Sequence, residues 1–276
     1  MTTIIKPPVI NQKPRTQIEN SLVSTWAWWN MHQPSGGTLD ERTGKTGFDG
    51  ATIAGEAIGT QWTNNPGWFT PDSTNGNYTV ISAANCNSLF ALDTLNGVGG
   101  IFIKLTLNVG SNPGGGLLEH PFYYGATGAK YTLLTEYAAN LNLKMYFHEE
   151  GGSVQVSPGV NITAHIGNDI IIGVYVDVTN SKIDMYVDES SVSSTDNFAG
   201  DGDLVGTTTS SNLGFGIGNR GDGTPTTMQG THNSGVKMRD VFAIRFETDK
   251  SASIPAIMQG FIDAGGIELP WELEGL

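Results

Sequence analysis

Cysteine is almost absent from this chain of 276 residues, since Cys86 is the only one. A single cysteine excludes an intrachain disulfide and a metal site built from several thiolates, and we expect Cys86 to be a small buried side chain. Basic residues are also scarce, with 14 Lys and Arg against 27 Asp and Glu. The resulting net charge of −13 repels phosphate backbones and anionic lipid. Neither nucleic acid nor a membrane is therefore an expected partner.

Long hydrophobic runs are missing as well. No apolar stretch approaches the roughly 20 residues that a membrane helix needs. The first eight residues, MTTIIKPP, lack the basic segment, apolar run and small-residue cleavage site of a secretory signal peptide. We therefore expect synthesis in a cytosol without export by the general secretory route.

Motifs of catalysis are missing too. The sequence has no Gly-x-Ser-x-Gly, no His-Glu-x-x-His and no phosphate-binding glycine loop before a helix. Retaining glycosidases need two carboxylates about 5 Å apart. The nearest acidic pair, Glu149 and Glu150, would point to opposite faces of a strand. Histidines show no metal-ligand spacing: His32, His120, His148, His165 and His232. We predict that the protein is not an enzyme and has no catalytic residues.

Alternating apolar and polar residues are what the sequence has in abundance. In residues 141–147, for example, Leu141, Leu143 and Met145 fall on one face and Asn142 and Lys144 on the other. With 38% hydrophobic residues the chain can bury a large core. We predict an all-β, antiparallel protein with its clearest strands at residues 22–29, 77–82, 100–109, 131–137, 141–148, 169–178, 182–188, 213–218 and 236–246.

The ends of the chain differ from this pattern. Residues 251–263 predict one short helix, with Ser253 as N-cap and Pro255 in the first turn. Residues 1–20 predict an extended arm, because their prolines disfavour helix, and residues 264–276 form a tail after a body at 21–263. Apolar residues in the arm and tail are candidates for docking on a partner, namely Ile4, Ile5, Pro7, Pro8 and Trp271. The alternatives are a disordered arm and a Trp271 that packs on the body.

The order of several segments resembles the laminin-G-like, concanavalin A-like lectin and glucanase family, especially its members among bacteriophage virion proteins. The segments are residues 22–29 (LVSTWAWW), 40–47 (DERTGKTG), the strand pair 170–178 and 182–188, 215–219 (FGIGN) and 235–246 (GVKMRDVFAIRF). The resemblance implies a two-sheet jelly-roll sandwich with a short C-terminal helix. It also implies binding of glycans or proteins, and in some members one calcium ion at a sheet rim.

The resemblance leads to a prediction of a virion structural protein, a phage capsid decoration or accessory protein that docks on other virion proteins through its arm. The alternative is a glycan-binding receptor-recognition module of a phage tail fibre, with the sugar held by rim loops near residues 62–72 and 188–203. A carbohydrate-active enzyme with an unrecognised carboxylate pair is a third reading. A homo-oligomer is compatible with all of these.

Tryptophans and acidic residues supply the candidate ligand contacts. Trp62 and Trp68 lie among Asn, Pro and Gly, and they are predicted to contact a ligand or a subunit. Trp29 takes the opposite strand face from Trp26 and Trp28, so it is either core or a platform for a sugar ring. No cofactor is predicted, although oxygen ligands for calcium are available in one loop, at Asp188, Asp196, Asp201 and Asp203.

Overall fold

The computed structural model describes the strands, the C-terminal helix and short segments beside them. The described residues are 26–31, 41, 52–54, 67–68, 78–81, 89–90, 100–110, 118–125, 130–136, 142–148, 154–156, 159–177, 180, 182–188, 190–195, 212–218 and 236–265. Their strands are β1 Trp26–Asn30, β2 Thr52–Ala54, β3 Tyr78–Ile81, β4 Gly100–Val109, β5 Leu118–Gly125, β6 Lys130–Glu136, β7 Asn142–His148, β8 Val154–Val156, β9 Val160–Asn161, β10 Asp169–Asp177, β11 Lys182–Val187, β12 Ser190–Thr195, β13 Asn212–Gly218 and β14 Val236–Phe246. A 3-10 turn, Thr163–His165, lies before β10, and helix α1 is Ile254–Asp263.

The strands form two sheets, and every pairing in them is antiparallel. The six-stranded sheet has the order β1-β14-β4-β10-β11-β12. The eight-stranded sheet has the order β2-β3-β13-β5-β6-β7-β8, with β9 paired to β7. Neighbours such as β4 and β14 are far apart in sequence, so long-range pairing builds one half of the first sheet, while β10, β11 and β12 in the other half are consecutive along the chain. For the described residues, the prediction of a mostly β, antiparallel protein with a short C-terminal helix is confirmed.

One face of the six-stranded sheet is a continuous apolar layer. Strand β4 places alternate residues on it, and its neighbours align theirs in register, as in the pairs of Ile103 with Val174 and with Ala243. Every member of the layer is buried: Ala27, Trp29, Ile101, Ile103, Leu105, Leu107, Val109, Ile170, Ile172, Val174, Val176, Ile183, Met185, Val187, Met238, Val241 and Ala243. In the other sheet Leu143 and Met145 of β7 are fully buried. The alternation predicted for β7 is confirmed at these two positions.

The opposite face of the six-stranded sheet is covered in part by α1. The helix buries Ile254, Ile257, Met258 and Phe261 against aromatic residues of the sheet. Phe261 lies over Phe102 and Phe242, with ring centroids 6.2 and 5.2 Å apart respectively. We call this the helix-covered face. The helix was predicted from sequence, and Ser253 does precede it, but the Ser253 side chain makes no capping hydrogen bond.

Two strands differ from the sequence prediction for physical reasons. Strand β5 contains Pro121, which lacks an N–H donor, and its pairing with β6 shifts register between Glu119 and Phe122. Strand β12 was expected to be part of a sugar-holding acidic loop at residues 188–203. Its residues Ser190–Thr195 instead pair with β11 along their whole length, so this part of the loop prediction is wrong.

Candidate functional site

A β-bulge in β14 re-aims Arg239. Met238 pairs with Leu107 and Asp240 pairs with Thr106, so Arg239 is an additional residue in this strand. Bulges bend the strand and redirect the side chains beside them. The carbonyl oxygen of Arg239 accepts a hydrogen bond of 2.9 Å from the main-chain N–H of Met31, at the end of β1. The bulge is therefore fixed on both sides, by β4 and by β1.

The guanidinium of Arg239 joins residues from three parts of the chain. Its Nη1 lies 2.9 Å from Oδ2 of Asp169, which begins β10. Its Cζ lies 4.1 Å from the centroid of the Trp68 ring. Asp169 Oδ1 in turn accepts a hydrogen bond of 3.1 Å from Nδ2 of Asn108. We call Trp68, Asn108, Asp169 and Arg239 the rim cluster, because Asn108 and Asp169 pair at one end of the sheet.

The rim cluster is partly exposed to solvent, and contacts among its own members fix their positions. The side chains of Arg239 and Asp169 are 30% and 41% exposed, and Trp68 is half-buried. Gly67, which precedes Trp68, has a φ of 78°, a conformation that favours glycine and sets the direction in which the chain presents the ring. An aromatic face next to a carboxylate and an amide can stack on the C–H face of a sugar ring and hydrogen-bond its hydroxyl groups.

Behind the rim cluster lies a buried ion pair on the helix-covered face. Lys104 Nζ donates to both carboxylate oxygens of Asp240 at 2.7 Å, and neither side chain has appreciable exposure. Trp28 Nε1 donates to Asp240 Oδ2 at 3.1 Å, and the Phe261 ring lies 5.1 Å from Lys104 Nζ. Burial lowers the pKa of Lys104, against the opposing effect of the Asp240 charge. The positive charge of Arg239 lowers that pKa further.

Asp188 is fixed by contacts within the chain. Its backbone φ is +48°, and its main-chain N–H donates to the carbonyl of Ile171. Oδ1 accepts a hydrogen bond of 2.9 Å from the N–H of Ile171, while Oδ2 lies 3.1 Å from Nδ1 of His165. Both carboxylate oxygens are thus engaged. The other calcium candidates, Asp196, Asp201 and Asp203, lie outside the described residues, so a calcium ion in this loop stays a prediction.

A second polar cluster lies at the opposite end of β10. Asn180 in the β10–β11 turn donates to Asp177 Oδ2 at 2.8 Å and to Asp249 Oδ2 at 3.2 Å. Main-chain hydrogen bonding from Ser251 is the main cause of a lowered pKa for Asp249, with further hydrogen bonds from Asn180 and Tyr175. These contacts join the β10–β11 turn to the residues that lead into α1. They act between elements of the fold, and we assign the cluster no ligand.

The structure places some of the predicted site residues and leaves others outside the described part. Trp68 is in the rim cluster. Trp29 has no exposed surface, so its interpretation as a sugar platform is wrong: it faces the apolar layer of the sheet. The remaining predicted contacts lie outside the described residues and stay predictions: Trp62, Ile4, Ile5, Pro7, Pro8 and Trp271.

Sequence reasoning missed Arg239, Asp169 and Asn108. One signal for the bulge was present in the sequence. Met238 and Val241 both face the apolar layer although they are three positions apart, which breaks the period of two that a regular strand follows. Asp169 and Asn108 gave no comparable signal, because their pairing depends on the order of strands in the sheet.

Among the described residues, no three or more His, Cys, Asp or Glu side chains are grouped so that they could hold a metal ion. The helix found in this part of the chain is too short to cross a membrane.

Known proteins resemble this chain in fold and not in sequence. No family model and no curated protein matches it. The botulinum neurotoxin serotype D binding domain superposes with a TM-score of 0.57 and 9% identity, covering 89% of this chain and 53% of that one. Trypanosoma rangeli sialidase, solved in complex with sialic acid, gives 0.53 and 14%, covering 92% and 38%. The chain thus spans about half of the toxin chain, and at these identities the similarity defines the fold alone.

Proposed function

We propose that this protein is a non-catalytic carbohydrate-binding module and that the rim cluster holds the sugar. The observation that carries the proposal is Trp68, half-buried at one end of a sheet and backed by Arg239, which is in turn paired with Asp169. Tryptophan offers a large rigid surface, and a carboxylate and an amide offer hydrogen bonds to hydroxyl groups. Such combinations are typical of small-molecule sites, where a few fixed polar groups orient the ligand.

We also propose that the two sheets pack face to face as a jelly-roll sandwich of the laminin-G-like, concanavalin A-like kind. The apolar layer of the six-stranded sheet needs a partner surface, and buried Leu143 and Met145 supply apolar groups from the other sheet. Strand β14 contacts β5 across the two sheets. In this arrangement the helix-covered face is the outer face of the six-stranded sheet, and the rim cluster lies at one end of it.

The fold similarities support a binding role. One similar structure is by name the binding domain of a neurotoxin, and another is a sialidase in complex with sialic acid. The carboxylates described near the rim cluster support the absence of catalysis. Asp169, Asp188 and Asp240 are each held by a basic side chain together with an amide or indole N–H. A general acid or nucleophile needs a carboxyl group that is available to the substrate.

The experiment is a glycan array with the full-length chain, followed by titration calorimetry of the best ligands. We expect Trp68→Ala to weaken binding by about tenfold or more, because the loss of a central aromatic contact commonly costs 2 kcal/mol or more. Trp68→Phe keeps an aromatic face and should retain most of the affinity. Gln259→Ala, at an exposed position on α1, is the control and should bind as the unchanged protein does.

Two results would contradict the proposal in different ways. If no glycan binds the full-length chain, the carbohydrate-binding function is wrong. If glycans bind equally well to Trp68→Ala, the function stands but the rim cluster is not its site. Release of reducing sugar from any bound polysaccharide would contradict the absence of catalysis.

A virion structural role stays a prediction beside this proposal. It rests on the family resemblance and on docking through residues 1–20 and the tail at 264–276, of which only residues 264 and 265 are among the described ones. A glycan-binding module of a tail fibre satisfies both readings, since such a protein is a virion component whose function is to recognise sugar.

A further inference from the structure

The charge of Arg239 is already neutralised inside the rim cluster. Its Nη1 contacts Asp169 Oδ2 at 2.9 Å, a distance typical of a strong charged hydrogen bond. Its planar group lies against the Trp68 ring at 4.1 Å, where cation–π attraction holds the ring and the guanidinium together. Arg239 therefore fixes the position of the Trp68 ring.

The charges around the rim cluster do not favour an anion either. Asp188 lies beside the half-buried His165 at 3.1 Å. Lys237 is exposed and lies opposite Asn108 in the register of β14 with β4. The charge of Lys104 is paired with Asp240. The formal charges of Asp169, Asp188, Arg239 and Lys237 sum to zero, and the whole chain carries −13. The carboxylate of a ligand would be repelled by Asp169 and would find Arg239 already paired.

We infer that the rim cluster takes uncharged saccharides and discriminates against sugars that carry a carboxylate, with Arg239 as a positioning residue for Trp68. This inference rests on the proposed function and specifies its ligand class. A neutral hexose places its C–H face on the ring and its hydroxyl groups near Asp169 and Asn108. A uronic acid at the same place brings a second carboxylate toward Asp169, and this repulsion is only partly screened at a distance below the Debye length.

The test uses pairs of oligosaccharides that differ in their terminal sugar, glucose or glucuronic acid, with the core chosen from the array. We expect the full-length chain to bind the glucose form about tenfold more tightly or better. Asp169→Asn removes one negative charge and leaves Arg239 without its counter-ion. In this variant the preference should fall to about threefold or reverse, because the guanidinium becomes available to the uronate.

Asp249→Asn is the matched control. It makes the same change in net charge at the other end of β10, about 25 Å away for eight residues of strand, and it should keep the preference of the unchanged protein. Salt supplies a second measurement that needs no variant. Raising NaCl from about 0.05 to 0.5 M should leave the affinity for the glucose form nearly unchanged and reduce the discrimination.

The possible results separate this inference from the proposed function. Tighter binding of the glucuronic acid form by the unchanged protein, weakening steeply with salt, would overturn the inference and leave carbohydrate binding intact. Equal preference in the unchanged protein and in Asp169→Asn would also overturn it. Absence of binding to both forms, with every core on the array, would remove the proposed function itself.

Discussion

Lys104 is a lysine in a fully buried position, where this residue type is rarely found. It lies in the middle of β4, a strand buried on both faces, and has no exposed surface. Desolvation of an ammonium group costs several kcal/mol, and here two short hydrogen bonds to Asp240 and the Phe261 ring compensate it. The pair joins β4 to β14 and α1 at one point.

We expect Lys104→Met to lower the free energy of unfolding by about 3–5 kcal/mol, because it leaves Asp240 charged and buried beside Trp28. The double variant Lys104→Met, Asp240→Leu should be less destabilised than either single variant. Urea denaturation followed by tryptophan fluorescence measures all three. Lys237→Met is the control: Lys237 lies on β14 and is exposed, so the loss should be within about 1 kcal/mol. Additive single effects would show that the pair is not coupled.

In the rim cluster, sequence reasoning singled out the aromatic residue and not the polar ones. Trp68 stood out because a large aromatic in a Pro-Gly turn is exposed more often than one in a strand. Arg239 and Asp169 are 70 positions apart, and they meet because β4 lies between their strands. That order of strands is a property of the folded sheet, and no local pattern encodes it.

Helix α1 depends on a glycine in the strand beneath it. A Cβ atom added at Gly173 would lie 2.8 Å from Met258 Sδ and 2.9 Å from the Phe102 ring. The helix can therefore approach the sheet closely at this point because β10 has no side chain there. The approach also places Phe261 over Lys104, so the docking of α1 and the buried ion pair stabilise each other.

We expect Gly173→Ala to lower the free energy of unfolding by about 1–3 kcal/mol through overpacking. In a Met258→Ala background the same change should cost less, because the nearest obstructing atom is gone. Urea denaturation of the four proteins gives the coupling energy between the two sites. An equal loss of unfolding free energy in both backgrounds would mean that Met258 does not limit the space at Gly173.

Elements with a regular period were predictable, and elements without one were not. Strands β4, β7, β10 and β11 and helix α1 carry clear apolar periods, β14 carries one on each side of its bulge, and the structure confirms these elements. Strand β5 was missed because Pro121 breaks its ladder. Strand β12 was missed because a run of serines gives no amphipathic signal, and its pairing with β11 is a tertiary effect.

At the scale of the whole molecule, the described elements all fall within one range of the chain. Both sheets and α1 lie within residues 26–265, and the rim cluster draws all of its members from this range. The net charge of −13 favours solubility and opposes non-specific binding to polyanions. The terminal segments are therefore where we expect assembly functions, and the rim cluster is where we expect ligand recognition.

We expect a chain that lacks residues 1–20 to keep its urea midpoint and to bind glycans within about twofold of the full-length affinity, since a twofold change is only about 0.4 kcal/mol. Full-length protein, and not the truncated chain, should associate with itself or with virus particles, as measured by light scattering and co-sedimentation. If both chains are monomers and neither co-sediments with particles, the docking role of the arm is contradicted. A loss of cooperative unfolding would show instead that the arm belongs to the folded body.

Because of the bulge at Arg239, the residues of β14 that face the apolar layer have even numbers before the bulge and odd numbers after it. Before it an even-numbered residue, Met238, faces the apolar layer, and after it odd-numbered residues such as Val241 do so. Deleting that single codon would bring both halves into one regular alternation, with Met238 still opposite Leu107 on the apolar layer and no additional residue in the strand. A homologue one residue shorter here would keep the sheet and lose the arginine. The presence of this residue would distinguish lineages that retain the site from those that retain the architecture alone.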